Sequence, residues 1–343
     1  MKKLIDKLFE TENLTDLELK ALLLDDSENE YLRKKAEEKR ISVYGRDVYI
    51  RGLIEISNYC KNNCLYCGIR AGNKCAVRYR LSTEDILSCC DMGYEAGFRT
   101  FVLQGGEDPK QDDEFIISTV KKIKEKYPDC AVTLSVGEKS YESYKKYREA
   151  GADRYLLRHE TIEKSHYQKL HPENMSLENR VRCLKDLKSL GFQTGCGIMV
   201  GSPYQEIDYI VKDLRFMKEF SPEMVGIGPF IPHKDTPFRD EKSGSVNLTL
   251  KLLSIVRLML PKVLLPATTA LGTLSEDGRS RGILAGANVI MPNLSPKAAR
   301  EKYMLYNNKI NTGIESVEGL EALKESMNNI GYQVVVSKGN YKY

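Results

Sequence analysis

From residue 51 onward, short apolar runs alternate with longer stretches whose apolar residues recur at helical spacing. The runs are LIEIS (53–57), TFVLQ (100–104), AVTLSV (131–136), RYLLR (154–158), QTGCGIMV (193–200), EMVGIG (223–228), VLLPAT (263–268) and NVIMP (288–292). Each is brief, mostly apolar and bounded by Gly, Pro or polar residues, the pattern of a strand buried on both faces. Between them, residues 82–97, 112–127, 140–151, 176–191, 206–220, 248–260 and, more weakly, 280–287 read as helices. Ser82 or Thr83 caps the first, which ends at Gly97. Residues 319–331 supply an eighth helix.

Strict alternation of strand and helix implies parallel strands with right-handed crossovers, and eight units favour a closed (β/α)8 TIM-type barrel over an open sheet. Pro266 makes the seventh strand the weakest. No strand signal appears before residue 49. That region reads as short polar helices, with Thr15 or Asp16 capping one and Ser27 the next. The expected organisation is an N-terminal helical extension (1–50), a barrel (51–312), and a C-terminal helix and tail completing it (313–343). In such barrels the active site lies at the C-terminal ends of the strands.

Composition changes this picture little. Hydrophobic residues make up 41% and charged residues 29%, and the net charge of +4 is mixed along helical stretches such as KKIKEK (121–126). That argues against nucleic acid as a partner. No apolar run reaches the roughly 18 residues of a membrane span, and the N-terminus lacks the apolar core of a signal peptide. A cytoplasmic protein is expected. Nine Cys without an export signal point to metal or catalysis before disulfides.

The chemistry concentrates after the first strand, in NYCKNNCLYCGIR (58–70). Cys60, Cys64 and Cys67 follow a Cys-x3-Cys-x2-Cys spacing with no fourth Cys at ligand distance. Three thiolates hold three irons of a [4Fe–4S] cubane and leave one iron open, where the amino and carboxylate groups of S-adenosylmethionine (SAM) can chelate. A zinc site is the alternative, although zinc usually takes two separated Cys pairs. Tyr66 is either an adenine neighbour or filler. Gln104, Thr133, Ser135, Arg158, Thr268 and Thr269 are polar residues at the ends of apolar strands, which are costly inside a barrel unless paired or used. Arg158 suits a carboxylate. His159, His233 and the scattered Cys75, Cys89, Cys90, Cys130, Cys183 and Cys196 read as structural.

The Cys motif with its aromatic residue resembles the radical SAM superfamily signature. Further blocks narrow the resemblance: VLQGGEDP (102–109), VTLSVGE (132–138), AGADRYLLRHET (150–161), MVGIGPFIPHKDTPF (224–238), PATTALGT (266–273) and GANVIMPNLSP (286–296) are similar to the HydE family of [FeFe]-hydrogenase maturases. Biotin synthases and methylornithine synthases are relatives, but RHETIEK replaces the biotin-synthase block after strand four. The resemblance spans roughly residues 50–310.

It implies one [4Fe–4S] cluster and SAM as cofactors. Gly105, Gly106 and Glu107 match the superfamily's GGE element at the methionyl ammonium. Glu160 matches the residue that accepts from the ribose hydroxyls, and Arg180 the one facing the methionine carboxylate. Met199 and Ile231 lie in segments that line the adenine, where simple barrel packing is the alternative. Tyr303 and Tyr306, at helical spacing after strand eight, match positions that bind an amino-acid-like substrate. Arg158, Tyr303 and Tyr306 are the catalytic candidates. The implied activity is reductive cleavage of SAM to a 5′-deoxyadenosyl radical acting on a cysteine-bound Fe(CO)2(CN) synthon during assembly of the hydrogenase di-iron subcluster. A reducing partner, ferredoxin or flavodoxin, and other hydrogenase maturases are the expected partners, with no membrane. A related radical SAM enzyme acting on an amino acid, or a non-enzymatic iron–sulfur carrier, are alternatives. Some HydE-like proteins carry a second Cys trio near the C-terminus. Here the last Cys is Cys196, so no second cluster is expected.

Overall fold

The computed structural model describes residues 1–343. Three helices come first, α1 (Lys2–Thr11), α2 (Asp16–Leu24) and α3 (Asn29–Tyr44). Thr15 caps α2 in a reciprocal capping box with Glu18. Ser27 does not cap α3: Glu28 holds the cap position, without a side-chain bond. The helical extension also ends earlier than its sequence suggests, because Asp47–Ile50 forms strand β1.

The barrel then runs β2 (Gly52–Ser57), α4 (Thr83–Glu95), β3 (Thr100–Gly105), α5 (Asp113–Lys126), β4 (Ala131–Ser135), α6 (Tyr141–Glu149) and β5 (Arg154–Leu156). It continues through α7 (Lys164–Leu170), α8 (Leu177–Ser189), β6 (Gln193–Val200), α9 (Ile207–Phe220), β7 (Met224–Pro229) and α10 (Val246–Met259). Then follow α11 (Thr269–Leu274), α12 (Gly278–Leu284), β8 (Val289–Ile290), α13 (Lys297–Arg300), α14 (Leu320–Asn329) and β9 (Gln333–Val335). Strands β2 to β7 form one parallel sheet in sequence order.

Residues 263–268, expected as a full strand, make only isolated bridges, Met224↔Leu264 and Pro266↔Val289. Pro266 has no N–H to donate, so the ladder cannot run through it. Closure is nevertheless achieved. Val225 N donates to Leu264 O, Ala267 N to Val289 O, and Leu294 N to Leu53 O, bringing the last segments back to β2. The result is a parallel TIM-type α/β barrel.

Helix α10 is buried from Thr249 to Met259 on every side, since α3 packs across its outer face. Two cations inside it are satisfied locally. Lys251 reaches the Leu23 and Asp25 carbonyls and Asp26, and Arg257 reaches the Gly286 and Pro261 carbonyls. At the N-terminal end of the strands, β9 pairs in parallel with β1. There the fully buried Arg154 donates to Lys338 O and Asn340 Oδ1, so the C-terminal tail covers that end. The opposite end is open. No helix is long and apolar enough to cross a membrane.

Candidate active site

Residues 58–82 leave β2 as one loop and carry all three cysteines of the motif. Its conformation is fixed from within: Arg78 donates to the carbonyls of Asn58, Ile69, Arg70 and Asn73, and Asn58 Nδ2 ties Val77 O to Lys302 O. Backbone bonds dock it on its neighbours, from Lys61 N to Glu107 O, Leu65 N to Leu170 O and Gly68 N to Leu305 O. Arg80 grips Asp108 through two bonds of 2.6 and 2.9 Å.

Cys60, Cys64 and Cys67 line a cavity of about 340 Å³ that opens at the C-terminal ends of the strands. Burial pushes all three thiols upward, Cys67 to about 12, and for Cys64 and Cys67 the neighbouring cysteines add to the rise. Ionised thiolates here need a positive partner, which iron supplies. No three His, Cys, Asp or Glu side chains converge tightly enough for a single metal ion. A cubane asks for a wider arrangement, with each thiolate on its own iron. The donor set therefore fits a [4Fe–4S] cluster with one open corner.

Gly106 explains why the strand end can lie so close. A Cβ there would stand 2.2 Å from Tyr59 O and 2.7 Å from Cys60 Cβ. Glu107 beside it accepts from Glu138 N at 2.9 Å and lies 3.2 Å from Lys61 Nζ. Gly137, at φ +81°, leaves the space its side chain fills. Gly105 and Gln104 complete this wall.

Across the cavity, Glu160 adopts a left-handed backbone (φ 64°), uncommon for a residue other than Gly, Asn or Asp. One oxygen pairs with Arg158 Nη2 at 3.0 Å; the other is buried without a partner. Arg180 donates through Nε to Glu138 and through Nη1 to Arg158 O, leaving Nη2 without a protein partner. These unspent polar atoms fit a ligand with ribose hydroxyls and a carboxylate.

Tyr66 lines the same wall and contacts His171 edge-on. His171 Nδ1 lies 3.0 Å from the Tyr167 carbonyl, so it must carry the proton. Its Nε2 then accepts from the Tyr66 hydroxyl at 3.3 Å. Met199 and Ile231 face the cavity from the ends of β6 and β7.

Of the candidate substrate residues, Gln104, Ser135, Arg158, Thr268, Thr269, Tyr303 and Tyr306 line the cavity. Thr133 does not: it is 2% exposed, and its hydroxyl has no partner. Thr268 Oγ1 is likewise buried and unpartnered. Thr269 Oγ1 accepts from Arg279, which in turn clasps the buried Glu315. Tyr303 and Tyr306 are not on a helix, because α13 ends at Arg300; they lie on the irregular segment that follows. Sequence reasoning missed Glu55, Glu138 and Lys309. Glu55 was visible as a charge inside the apolar run LIEIS, and Glu138 ended the block VTLSVGE. Lys309 carried no signal.

The radical SAM superfamily model matches residues 54–217. An [FeFe] hydrogenase maturase subunit HydE from Thermotoga maritima is 48% identical over 90% of this chain and 88% of its own. The chain belongs to the radical SAM superfamily. A 3-methylornithine synthase from Methanosarcina acetivorans is 33% identical over 83% of the chain and 81% of its own length. The crystal structure of a methylornithine synthase superposes over 97% of both chains with a TM-score of 0.85 at 30% identity. The protein is a radical SAM enzyme, and its three-cysteine cavity opens at the C-terminal ends of the strands.

Proposed function

We propose that this radical SAM enzyme is a hydrogenase maturase of the HydE kind, acting on a cysteine-bound Fe(CO)2(CN) synthon destined for the di-iron subcluster of [FeFe]-hydrogenase. The observation that carries this reading is the 48% identity to a HydE along nearly the whole chain. When bound, the cluster supplies the electron that cleaves SAM reductively to a 5′-deoxyadenosyl radical.

The chain's own residues bind, orient and enclose. Glu160 offers its free oxygen to the ribose hydroxyls, Arg180 its remaining N–H groups to the methionine carboxylate, and Glu107 its charge to the methionyl ammonium. Tyr66, held by His171, flanks the adenine together with Met199 and Ile231. Arg158 and the unpartnered Thr268 hydroxyl face the substrate, with Gln104, Ser135, Thr269, Tyr303 and Tyr306 around it; Thr133 supports the wall from behind. The walls keep water from a reactive primary radical.

One cluster suffices in this reading. A low-potential electron carrier and the other maturases are its partners in the cytoplasm. The test is anaerobic reconstitution with iron and sulfide, then dithionite and SAM, with 5′-deoxyadenosine quantified against a Cys60/Cys64/Cys67→Ala variant. Cys-dependent product is expected, and addition of the protein to the companion maturases should activate an apo-hydrogenase. An iron-loaded protein with no product above the variant would leave only a carrier. Product without hydrogenase activation would favour the second reading, an amino-acid-modifying enzyme, which the likeness to methylornithine synthase supports.

A further inference from the structure

Glu160 holds its left-handed backbone (φ 64°) just beyond β5, a conformation that persists only where its surroundings fix it. Its backbone N–H donates to Gly197 O on β6 at 3.0 Å. Gly197 in turn donates its own N–H to Nδ1 of His159, the residue before Glu160, at 3.3 Å. Nδ1 therefore accepts, and the His159 proton sits on Nε2. That nitrogen stands 3.3 Å from Asp213 Oδ1, an electrostatic contact outside hydrogen-bond geometry.

Asp213 belongs to α9 and is fully buried. The other buried residues of that helix are Ile210, Val211, Leu214 and Met217. A carboxylate in such company is costly unless its surroundings satisfy it. Asp213 Oδ1 accepts from Ile162 N at 2.5 Å, so this one oxygen meets the chain on both sides of Glu160. The His159 ring also rests edge-on against Phe216 of the same helix, 4.8 Å between centres. Neither His159 nor Asp213 lines the cavity, whereas Arg158 and Glu160, the neighbours of His159, both do. An apolar pair would fill the same space without a buried carboxylate. The carboxylate stands where the chain turns through Glu160.

We propose that His159 and Asp213 are positioning residues for Glu160: they anchor residues 159–162 to α9 and β6 and so aim the Glu160 carboxylate into the cavity. The inference deepens the reading of Glu160 as the acceptor for ribose hydroxyls and rests on it. A carboxylate on a fixed turn has less freedom to lose when a ligand arrives. Recognition of the ribose then depends on two side chains that never touch the ligand.

The test uses the reconstituted holoenzyme with methionine and two probes, 5′-deoxyadenosine and 2′,5′-dideoxyadenosine, which differ by one ribose hydroxyl. Equilibrium dialysis of the wild type should show a preference of roughly tenfold for the first. Glu160→Ala should abolish it. Asp213→Leu should remove most of it, and Asp213→Asn, which keeps an acceptor for Ile162 N, should recover part. Should Asp213→Leu fail to fold, His159→Asn carries the test: it keeps an acceptor for Gly197 N, is too short to reach Asp213, and should give an intermediate preference. In the Glu160→Ala background, neither Asp213→Leu nor His159→Asn should change either affinity further. A merely structural pair would lower the melting temperature and leave the preference intact, or weaken both probes equally in both backgrounds. Either result overturns the proposal. A preference absent from the wild type, or one that survives Glu160→Ala, would refute the ribose role of Glu160 itself and take the inference with it, so the two failures are told apart.

Discussion

Arg180 Nε donates to Glu138 Oε1 at 2.5 Å, joining the first turn of α8 to the loop after β4. Glu138 is shared further. Its other oxygen accepts from Asn179 at 2.6 Å, and its backbone N–H donates to Glu107. Arg180 also reaches Arg158 O. A single polar chain thus links the ends of β3, β4 and β5 on the side of the cavity where the residues proposed to bind SAM lie.

That chain makes Arg180 more than a point charge. Arg180→Lys keeps the cation but loses the planar fork that serves Glu138, Arg158 O and a ligand at once. The SAM dissociation constant should rise roughly tenfold, measured by equilibrium dialysis of the reconstituted protein. Glu138→Ala strands a guanidinium only 8% exposed and should destabilise the fold by about 3 kcal/mol, read from urea unfolding. Unchanged SAM affinity in Arg180→Lys would remove Arg180 from the site.

Gly106→Ala tests the cluster cradle. The added methyl meets backbone at Tyr59 O, 2.2 Å away, which cannot move without shifting Cys60. Iron bound per chain after reconstitution should fall sharply, while circular dichroism keeps its native α/β signature. Full iron loading in this variant would show that the loop tolerates displacement.

The alternation of apolar runs made most strands and helices legible, and the Cys spacing marked the loop after the first full strand. The seventh strand failed where it was weakest: Val263, Leu264 and Leu265 have strand composition, but Pro266 breaks the ladder. β1 and β9 escaped notice because Asp47–Ile50 and Gln333–Val335 are short and pair mainly with each other. At the site, Glu138 went unnoticed although it ends the block VTLSVGE, and partners that are distant in sequence carried no joint signal. Glu55 and Lys309 are 254 positions apart, and only closure of the barrel brings them together.

His171 predicts an acid-sensitive fold. Burial first, and the nearby Arg180 second, push its pKa down from 6.5 to about 3. The folded state therefore binds fewer protons than the unfolded chain between those values. Stability from this group is complete above pH 6.5 and is lost progressively as the pH falls toward 3. By pH 5 the loss is about 2 kcal/mol. His171→Asn should flatten the pH dependence of the melting temperature between pH 7.5 and 5. An equally steep profile in the variant would place the acid sensitivity elsewhere.

The proposed electron carrier has a face to meet. Residues 56–83 contain Lys61, Arg70, Lys74, Arg78 and Arg80 and no Asp or Glu, in a chain whose total is only +4, so the rest of the chain is slightly acidic. Arg78 is committed to backbone carbonyls, Arg80 to Asp108 and Lys61 to Glu107. Lys74 is exposed and makes no ion pair, close in sequence to Val77, which is 64% exposed. If the proposed carrier is acidic, this asymmetry is expected to steer it toward the loop that carries the three cysteines. Lys74→Glu should raise the KM for a reduced flavodoxin several-fold and weaken the salt dependence of the rate. Dithionite, a small dianion needing no docking surface, should drive SAM cleavage as fast as in the wild type. Equal loss with both reductants would mean that the substitution disturbs the cluster loop itself, and the carrier would then have to dock elsewhere.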